Sequence, residues 1–573
     1  MTRLNRLLPL SLAALVLAAA PATARTTKPA AAASTTSLHA MVAAANPMAV
    51  DAGLKVLKAG GSAVDAAVAV QAVLGLVEPQ SSGLGGGAFM TYYDARTRKV
   101  TAYNGRETAP AGATPDMFLG SNGKPLPRPV AMTSGRSAGV PGAIAMLYLA
   151  QGQHGKLKWA DLFGDAERLA DQGFPAPGRM AAAASSNAAQ AGTPDAVAYF
   201  TRPDGAKVQP GDLWKNPAYA VSIRKVAAEG PKAILEGPIA EQIVAKLSQG
   251  PIPGTMTLKD LASYKPKATP AVCRPYRIYV VCTPPAPSGG PAVLEGLGIL
   301  ERTDIDKHPN DAQGWYLFSQ ASRLTYADRD RYYGDPDFVD VPMEGLLAKD
   351  YLDARAKLID PTTAGPPPKP GVPKGAAVRG ADQTREPGGT THFVIVDKDG
   401  NAVSMTTTVE SIFGDGRMVG GFFLNNQLTD FSFEPKDYEG VPAANAVAAG
   451  KRPRSSMAPA IVLDRQGRLV AAVGSPGGPS IIAFVLKGLV GVLDWKLPMQ
   501  ETLALPNLIG IGNIYASEPA RYPPGVVEQL AAKGVKLQGG PFGEGSGLHG
   551  VEVTPGGLRG GADPRREGVA KGY

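Results

Sequence analysis

The chain has 573 residues, more than one hydrophobic core usually organises, so we expect either two domains or one large layered unit. Hydrophobic residues make up 44% and charged residues 19% of it, which is typical of a globular protein and argues against a polytopic membrane protein. The net charge of +8 comes from dispersed Lys and Arg. Without a dense basic run interleaved with aromatics, the sequence predicts no nucleic-acid partner.

The first segment has the pattern of an export signal. Arg3 and Arg6 precede an apolar run over residues 7–20, and the small-residue sequence Ala22-Thr23-Ala24 suits signal peptidase. The apolar run is shorter than the roughly 20 residues that span a bilayer, so an uncleaved anchor is the weaker alternative. We predict a signal peptide over residues 1–24, an exported, periplasmic protein, and no membrane span in the mature chain.

Two helices are predicted next. An apolar-periodic segment begins after Asn46 and ends near residue 60 at a glycine pair, a helix stop signal. Ser62, followed three residues later by Asp65, has the pattern of a capping box. The Ala, Val and Leu content of residues 64–77 then predicts a buried helix.

A glycine run at residues 83–87 precedes a predicted hairpin over residues 88–93 and 99–103. The run lacks the Lys-Ser/Thr of a phosphate-binding loop and precedes a strand, which argues against nucleotide binding. Residues 155–350 alternate helical stretches with turns and predict a helical scaffold.

Cys273 and Cys282 are the two cysteines of the sequence. In an exported protein, two cysteines so close together can face each other across a hairpin or bend, and we expect a disulfide. Two buried free thiols remain the alternative, because sequence cannot place the Cα atoms within bridging distance.

Composition changes abruptly at residues 360–389, which are rich in Pro and Gly and poor in large apolar side chains. Such a segment cannot bury much surface, so it predicts a mobile surface connection. Beyond it the sequence predicts two hairpins, a Ser-Pro-Gly-Gly turn and an apolar helix ending near residue 492; the predicted strands are residues 391–396, 401–409, 460–463 and 468–473.

Thr390 follows this connection and opens a strand, which is the arrangement an N-terminal nucleophile needs before activation. Attack of its hydroxyl on the carbonyl of Gly389 would move the acyl group from N to O, and hydrolysis would then free a threonine with its own α-amine. An α-amine titrates near 7.7–8.0 and can serve as the catalytic base. The five histidines show no metal spacing and no obvious triad, and we predict no metal and no cofactor.

Ordered motifs carry a resemblance to a known family. The run GGTTHFVIVDKDGNAVSMTTTVE begins at residue 388, and LNNQLTDFS, KRPRSSMAPAIV, GSPGG and ADPRREG follow it; NPMAVDAGLKVLKAGGSAVDAAVAV, SSGLGGGAFM, NGRETAP and GVPG precede it. Together they resemble the gamma-glutamyltranspeptidases, also called glutathione hydrolases, over nearly all of the mature chain.

The resemblance implies an α/β (α+β) fold, the four-layer αββα sandwich of the N-terminal nucleophile hydrolases. It also implies cleavage at Gly389-Thr390 into a large subunit (residues 25–389) and a small catalytic subunit (residues 390–573) that stay together as a heterodimer. The implied reaction transfers the γ-glutamyl group of glutathione or a related compound to water, an amino acid or a dipeptide.

Site residues follow from the matching positions. Thr390 would be the nucleophile, oriented by Thr408, and the amides of Gly477 and Gly478 would bind the oxyanion. The substrate α-carboxylate would be held by the planar fork of Arg106 and the hydroxyls of two serines, and the ammonium by acceptors from three residues; these are Ser455 and Ser456, then Gln427, Asp430 and Glu410.

Two positions depart from the family pattern. Glu410 stands where well-studied members carry an asparagine, and this carboxylate could strengthen ammonium binding or alter substrate choice. The connection between Ser432 and Lys451 is shorter than in members with a tyrosine-bearing lid, although Tyr438 lies within it. A shortened lid would admit water and favour hydrolysis over transpeptidation.

Two other functions remain open. A cephalosporin or glutaryl amidase of the same superfamily would share the nucleophile but replace the amino-acid clamp, which Arg106, Asp430 and the serine pair argue against. A non-catalytic binding protein on this fold would have lost cleavage, which the intact Gly389-Thr390 junction argues against.

Overall fold

The computed structural model describes residues 34–382, 384, 386, 388–540 and 545–573. The predicted signal peptide, residues 1–24, lies outside the described residues. The described chain is built around two seven-stranded antiparallel sheets. In chain order the strands are β1 (Thr35–Ser37), β2 (Met41–Ala44), β3 (Gly87–Asp94), β4 (Lys99–Asn104), β5 (Phe174–Pro175), β6 (Leu213–Trp214), β7 (Lys267–Pro270), β8 (Val272–Tyr276), β9 (Tyr279–Thr283), β10 (Gly389–Val396), β11 (Ala402–Glu410), β12 (Met418–Val419), β13 (Phe422–Phe423), β14 (Ala460–Asp464), β15 (Leu469–Gly474), β16 (Leu508–Ile511), β17 (Ile514–Ser517), β18 (Leu537–Gln538), β19 (His549–Thr554), β20 (Gly557–Ala562) and β21 (Val569–Gly572).

The first sheet has the order β21-β2-β10-β11-β3-β4-β7, and the second has the order β1-β20-β19-β15-β14-β9-β8. Strand β10, which begins at the predicted cleavage site, lies between β2 and β11 near the centre of the first sheet. Both predicted hairpins of the C-terminal region are confirmed, as β10–β11 and β14–β15.

Helices cover the outer faces of both sheets. In chain order they are α1 (Pro47–Lys58), α2 (Ala63–Val77), α3 (Arg128–Met132), α4 (Ala143–His154), α5 (Gly164–Gln172), α6 (Gly178–Ala184), α7 (Pro194–Phe200), α8 (Pro217–Glu229), α9 (Lys232–Leu235), α10 (Gly237–Leu247), α11 (Leu258–Ala262), α12 (Gly290–Leu300), α13 (Ala312–Tyr332), α14 (Met343–Leu346), α15 (Lys349–Ala356), α16 (Ile481–Leu493), α17 (Met499–Ala504) and α18 (Val526–Ala532). The predicted capping box of α2 is confirmed: Ser62 accepts from the Asp65 amide, and Asp65 accepts from the Ser62 amide.

Alternation along β10 shows how the four layers arise. Phe393 and Ile395 pack into the core beneath α1, α2 and α4, whereas Val394 and Val396 point to the other face and pack against the second sheet. Successive side chains of a strand face opposite sides, so a strand apolar on both faces must be covered on both. A third core joins the second sheet to α12, α13 and α16. The predicted αββα sandwich is confirmed.

The middle of the chain is less uniformly helical than we predicted. Residues 155–350 contribute β7, β8 and β9, and β9 pairs with β14 in the second sheet. Cys273 and Cys282 lie directly opposite each other on β8 and β9, with Cα atoms 4.0 Å apart, and a disulfide joins them. The place of β9 in the sheet was not predicted, because its partner β14 lies more than 170 residues away.

The connection at residues 360–389 is only partly the exposed segment that its composition predicts. Val372 and Val378 are 84% exposed, but Asp382 and Glu386 are buried. Its backbone is also anchored: Asp328 on α13 accepts from the Gly371 amide at 2.7 Å, and Arg323 donates to the carbonyl of Pro366 at 2.7 Å. The expectation that this segment buries little is therefore wrong at its C-terminal end, where charged side chains rather than apolar ones enter the interior.

In the part of the chain that the structure describes, no helix is both long and apolar enough to cross a bilayer.

Candidate active site

Strand pairing brings Thr390 and Thr408 together. The two residues are partners across β10 and β11, and their hydroxyl oxygens lie 3.0 Å apart. The Thr408 hydroxyl donates to the carbonyl oxygen of Gly389 at 2.8 Å and accepts from the Glu410 amide at 2.8 Å. Because a hydroxyl carries one proton, and that of Thr408 goes to Gly389, the proton between the two threonines must come from Thr390.

Gly389, the residue before Thr390, is packed so closely against the backbone of Ser411 that a side chain would not fit. A Cβ added to Gly389 would lie 2.3 Å from the carbonyl carbon of Ser411, well inside van der Waals contact. The backbone of Glu410 is meanwhile turned into the left-handed region, with φ +84°. Positive φ in a non-glycine residue is uncommon and costs of the order of 1–3 kcal/mol, and such strain tends to occur at functional sites. The strand end at Glu410 therefore has a shape set by the site rather than by the sheet.

Arg106 lies near the threonine pair with its guanidinium buried. One terminal nitrogen donates to Asp430 at 2.6 Å and to the carbonyl of Arg454 at 2.7 Å, and Nε donates to the carbonyl of Pro453 at 3.1 Å. The other terminal nitrogen lies 3.8 Å from Glu107. Several fixed acceptors therefore hold the guanidinium plane in one orientation, and they already take the hydrogens of Nε and of one terminal nitrogen.

The three predicted ammonium ligands line one small cavity together with Arg106. Gln427 donates to one oxygen of Asp430 at 2.7 Å, and the other oxygen of Asp430 has no hydrogen bond to a described residue. Glu410 is buried beside Asp430, and its Oε1 has no partner among the described residues either. Burial raises the pKa of Glu410 well above its ordinary value, and the charge of Asp430 raises it further. The unoccupied acceptors fit a cationic group.

Ser455 and Ser456 also line this cavity. The Ser455 hydroxyl accepts from the Met457 amide at 3.1 Å. The Ser456 hydroxyl accepts from Arg329 at 2.7 Å and donates to Glu386. Ser456 is therefore already engaged by an arginine and a carboxylate from elsewhere in the chain.

Gly477 and Gly478 form the turn between β15 and α16, with φ +135° and +55°. A Cβ on Gly477 would lie 2.6 Å from the ring of Phe484, so the turn has no room for a larger residue. Gly478 lines the cavity. All the predicted substrate and catalytic residues except Gly477 thus line one cavity. The cavity itself holds only about 20 Å³, roughly one water molecule; it is lined by Arg106, Glu386, Thr390, Thr408, Glu410, Gln427, Asp430, Ser455, Ser456, Met457, Gly478 and Ile481.

Sequence reasoning missed three residues at this site. Glu386 came from the connection predicted to stay on the surface, and Arg329 lies inside α13 without a motif to mark it. Arg566 belongs to a motif that we quoted without a role, and it donates to the Thr390 carbonyl at 3.1 Å. Arg566 ties the end of the chain to the nucleophile, which only the fold can reveal.

Metal binding finds no support in this region. Among the described residues, no group of three or more His, Cys, Asp or Glu side chains could hold a metal ion. His392, two residues after the nucleophile, is buried and makes a 2.9 Å hydrogen bond through Nδ1 with Thr406. Burial, with the nearby His549 adding to it, lowers the pKa of His392 well below its usual value, so the ring is neutral.

Comparison with known proteins places this geometry in a family. The family model for gamma-glutamyltranspeptidase matches residues 49–573. The glutathione hydrolase proenzymes of Bacillus subtilis strain 168 and Escherichia coli K12 are 36% and 35% identical, each over 93% of this chain and over 91% and 92% of their own lengths.

Solved structures agree. The cephalosporin acylase of Bacillus halodurans superposes with a TM-score of 0.83 at 26% identity, over 97% of this chain and 99% of that one. The gamma-glutamyltranspeptidase of Helicobacter pylori superposes with a TM-score of 0.54 at 32% identity, over 57% of this chain and 94% of that one. The chain therefore belongs to the gamma-glutamyltranspeptidase family.

Proposed function

We propose that the protein is a γ-glutamyl hydrolase and transferase whose nucleophile is Thr390, released by cleavage of the Gly389-Thr390 bond. The observation that carries the proposal is the pairing of the Thr390 and Thr408 hydroxyls beside a cavity that is lined by the buried Arg106, by Asp430, with which Arg106 is paired, and by the buried Glu410. Those groups match the charges of a free amino acid end. Glutathione and other γ-glutamyl amides carry such an end.

Cleavage can proceed with the residues already in place. The Thr390 oxygen attacks the Gly389 carbonyl carbon while its proton moves toward Thr408, and the Thr408 hydroxyl stabilises the developing charge on the Gly389 carbonyl oxygen. The proton then passes to the Thr390 nitrogen, so that the C–N bond breaks and leaves an ester between Gly389 and the Thr390 side chain. Water then hydrolyses the ester, which frees the carboxylate of Gly389 and the α-amine of Thr390.

In turnover the freed α-amine accepts the proton of the Thr390 hydroxyl, which attacks the γ-carbonyl of the substrate. The amides of Gly477 and Gly478 stabilise the oxyanion, where each donor contributes about 3 kcal/mol. The leaving amine departs with a proton, and a γ-glutamyl-threonine ester remains. Water or the amino group of an amino acid or dipeptide then takes the γ-glutamyl group and regenerates Thr390.

The two products of cleavage should stay together. Strand β10 of the small subunit pairs with β2 of the large one, and β11 pairs with β3. Separating them would expose a continuous central sheet and break its ladder hydrogen bonds. We infer a heterodimer made from one chain, exported by the signal peptide at residues 1–24 to the periplasm.

A cephalosporin or glutaryl amidase is the second candidate, because the cephalosporin acylase superposes over nearly the whole chain. The two functions differ at the ammonium ligands. A glutaryl group has no ammonium, and beside it the buried Oδ1 of Asp430 and Oε1 of Glu410 would stay without a hydrogen-bond donor. The geometry therefore favours γ-glutamyl substrates.

A comparison of γ-glutamyl-p-nitroanilide with glutaryl-p-nitroanilide tests this choice. We expect the γ-glutamyl compound to react at least a hundredfold faster, as kcat/KM, and equal rates would refute the ammonium site. A denaturing gel and N-terminal sequencing test the nucleophile: active protein should give a chain beginning Thr-Thr-His-Phe, and Thr390→Ala should give one uncut, inactive chain. An uncut protein that still binds glutamate would instead support the binding-protein alternative.

A further inference from the structure

Two buried arginines lie beside the cavity, and the segment ahead of the scissile bond supplies acids to both. Arg329 on α13 is 2% exposed and Arg454 is 1% exposed. Arg329 donates to the carboxylate of Glu386, and the Nε of Arg454 lies 3.6 Å from the same carboxylate. Arg454 also lies 3.3 Å from Asp382. Both acids belong to the stretch that ends at Gly389.

Cleavage changes the charge balance around these arginines. In the uncut chain, two guanidinium groups face three carboxyls, because Asp330 lies 3.0 Å from Arg329 and 3.4 Å from Arg454. If the cut segment withdraws, Glu386 and Asp382 leave and Asp330 alone remains. Two buried cations with one acid constitute a site that lacks an anion, and burying an unpaired charge is costly.

The side-chain nitrogens of Arg454 lack hydrogen-bond acceptors among the described residues. None of its three side-chain nitrogens makes a hydrogen bond with a described residue, although the group is fully buried; its contacts with acids are 3.3 Å or longer. Arg329 likewise has an unbonded Nε. Buried guanidinium nitrogens are normally satisfied, so these donors indicate room for a better-placed acceptor than the uncut chain provides.

Ser456 identifies that acceptor. Its hydroxyl donates to Glu386 in the uncut chain, and the same hydroxyl is assigned to the substrate α-carboxylate under the function proposed above. The carboxylate of Glu386 therefore stands in for that of a substrate. Glu386 also lines the same small cavity as Thr390 and Arg106, and in the uncut chain that cavity is too small for a substrate.

We propose that Arg329 and Arg454 are additional ligands of the substrate α-carboxylate, and that Glu386 occupies their site until the chain is cut. The inference rests on the proposed function, because it takes the γ-glutamyl group as the substrate. It adds two cationic groups to Arg106, and one of them, Arg329, contacts the Ser456 hydroxyl. Cleavage then does two things at once: it frees the nucleophile and removes the internal carboxylate that competes with substrate.

Kinetics of the processed enzyme provide the first test. Arg329→Gln should raise the KM for γ-glutamyl-p-nitroanilide by roughly ten- to hundredfold, as expected for one charged hydrogen bond, and change kcat by less than about threefold. Inhibition by L-glutamate should weaken by the same factor. Inhibition by 4-aminobutyrate, which keeps the ammonium and lacks the α-carboxylate, should stay within twofold, whereas a merely structural defect would weaken both inhibitors.

Arg331→Gln is the matched control. It lies on the same helix and donates to the carbonyl of Arg379 in the same connection, whereas Arg329 donates to Glu386 and Ser456, which line the cavity. Its kinetic constants should equal those of the parent. An unchanged KM in Arg329→Gln, with full γ-glutamyl activity, would overturn this inference and leave the proposed function standing. Absence of γ-glutamyl activity in the parent enzyme would instead overturn the proposed function.

A second test uses the uncut chain, so it does not depend on whether an arginine variant is cleaved. In the uncut Thr390→Ala chain, Glu386→Ala removes the internal carboxylate and leaves space for acetate. Sodium acetate at 100 mM should raise the Tm of Thr390→Ala/Glu386→Ala by about 1–2 °C over sodium chloride of equal ionic strength. Thr390→Ala and Thr390→Ala/Glu439→Ala, which removes an exposed acid, should show no such difference. Equal Tm values in the two salts for the Glu386→Ala chain would overturn the proposal.

Discussion

Glu410 and Asp430 place two buried carboxyl groups at one cavity. The pKa of Glu410 lies well above its ordinary value, because burial and the charge of Asp430 both oppose its ionisation. The folded state therefore binds a proton that the unfolded state loses above about pH 4.3. This difference makes the unfolded state progressively favoured as pH rises, until Glu410 ionises in the folded protein too.

Replacing Glu410 should remove that pH dependence. In the uncut Thr390→Ala chain, Glu410→Gln keeps the shape of the side chain but cannot lose a proton. We expect its Tm to be close to that of the parent near pH 4 and higher than it at pH 8, with the gap widening between. Thermal melts across this range measure it, and the exposed Glu439→Gln serves as control. A gap that is constant with pH would show that Glu410 does not titrate in this way.

Thr408 should control the rate of chain cleavage. Thr408→Val keeps the shape but removes the hydroxyl that contacts both Thr390 and the Gly389 carbonyl, and losing one such donor slows related reactions by about 10²–10³-fold. We expect uncut chain to accumulate and Thr408→Ser to process at a rate near the parent.

A gel time course of freshly made protein follows this reaction. Thr407→Val is the matched control, because the Thr407 hydroxyl contacts the Gly87 carbonyl and neither Thr390 nor Gly389. Equal rates for Thr408→Val and Thr407→Val would contradict the role given to Thr408.

Reducing the disulfide should destabilise the protein without stopping catalysis. Cys273 and Cys282 close a short loop on β8 and β9, at the edge of the second sheet and away from the cavity. Closing a loop of this length stabilises by about 2–3 kcal/mol in the chain-entropy description. A paired Cys273→Ser/Cys282→Ser variant should therefore unfold at lower urea concentration with unchanged kcat/KM. A fall in kcat/KM without a shift in the unfolding midpoint would be the opposite result.

Water should compete well with amine acceptors at this site. The connection that would carry a lid holds Tyr438, whose side chain is 94% exposed and lies beside an outer cavity of about 480 Å³ rather than over Thr390. We expect glutamate to exceed the γ-glutamyl-glycylglycine product even at high glycylglycine. Chromatography of both products measures the ratio, and a dominant transfer product would show that the site excludes water.

Local sequence predicted the elements whose signals are local. The capping box at Ser62, the hairpins that flank residues 397–400 and 464–467, and the helix that ends at Leu493 each depend on side chains within a few residues of one another. The pairing of β9 with β14 was not predicted, because the two strands are far apart in the chain. The same physical reason explains why the buried end of the connection was misjudged: Glu386 is stabilised by Arg329, which is 57 residues earlier.

By itself the sequence determined the family and predicted which residues carry the chemistry, because ordered motifs mark Thr390, Arg106, Asp430 and the serine pair. Only the tertiary structure decided how those residues stand before cleavage. Glu386 contacts Arg329 and Arg454, which come from separate stretches of the chain. The packing of α13 against the second sheet brings these charges together, and no local sequence pattern indicates it. For this reason the sequence alone did not indicate Glu386, which we propose occupies the site of the substrate carboxylate before cleavage.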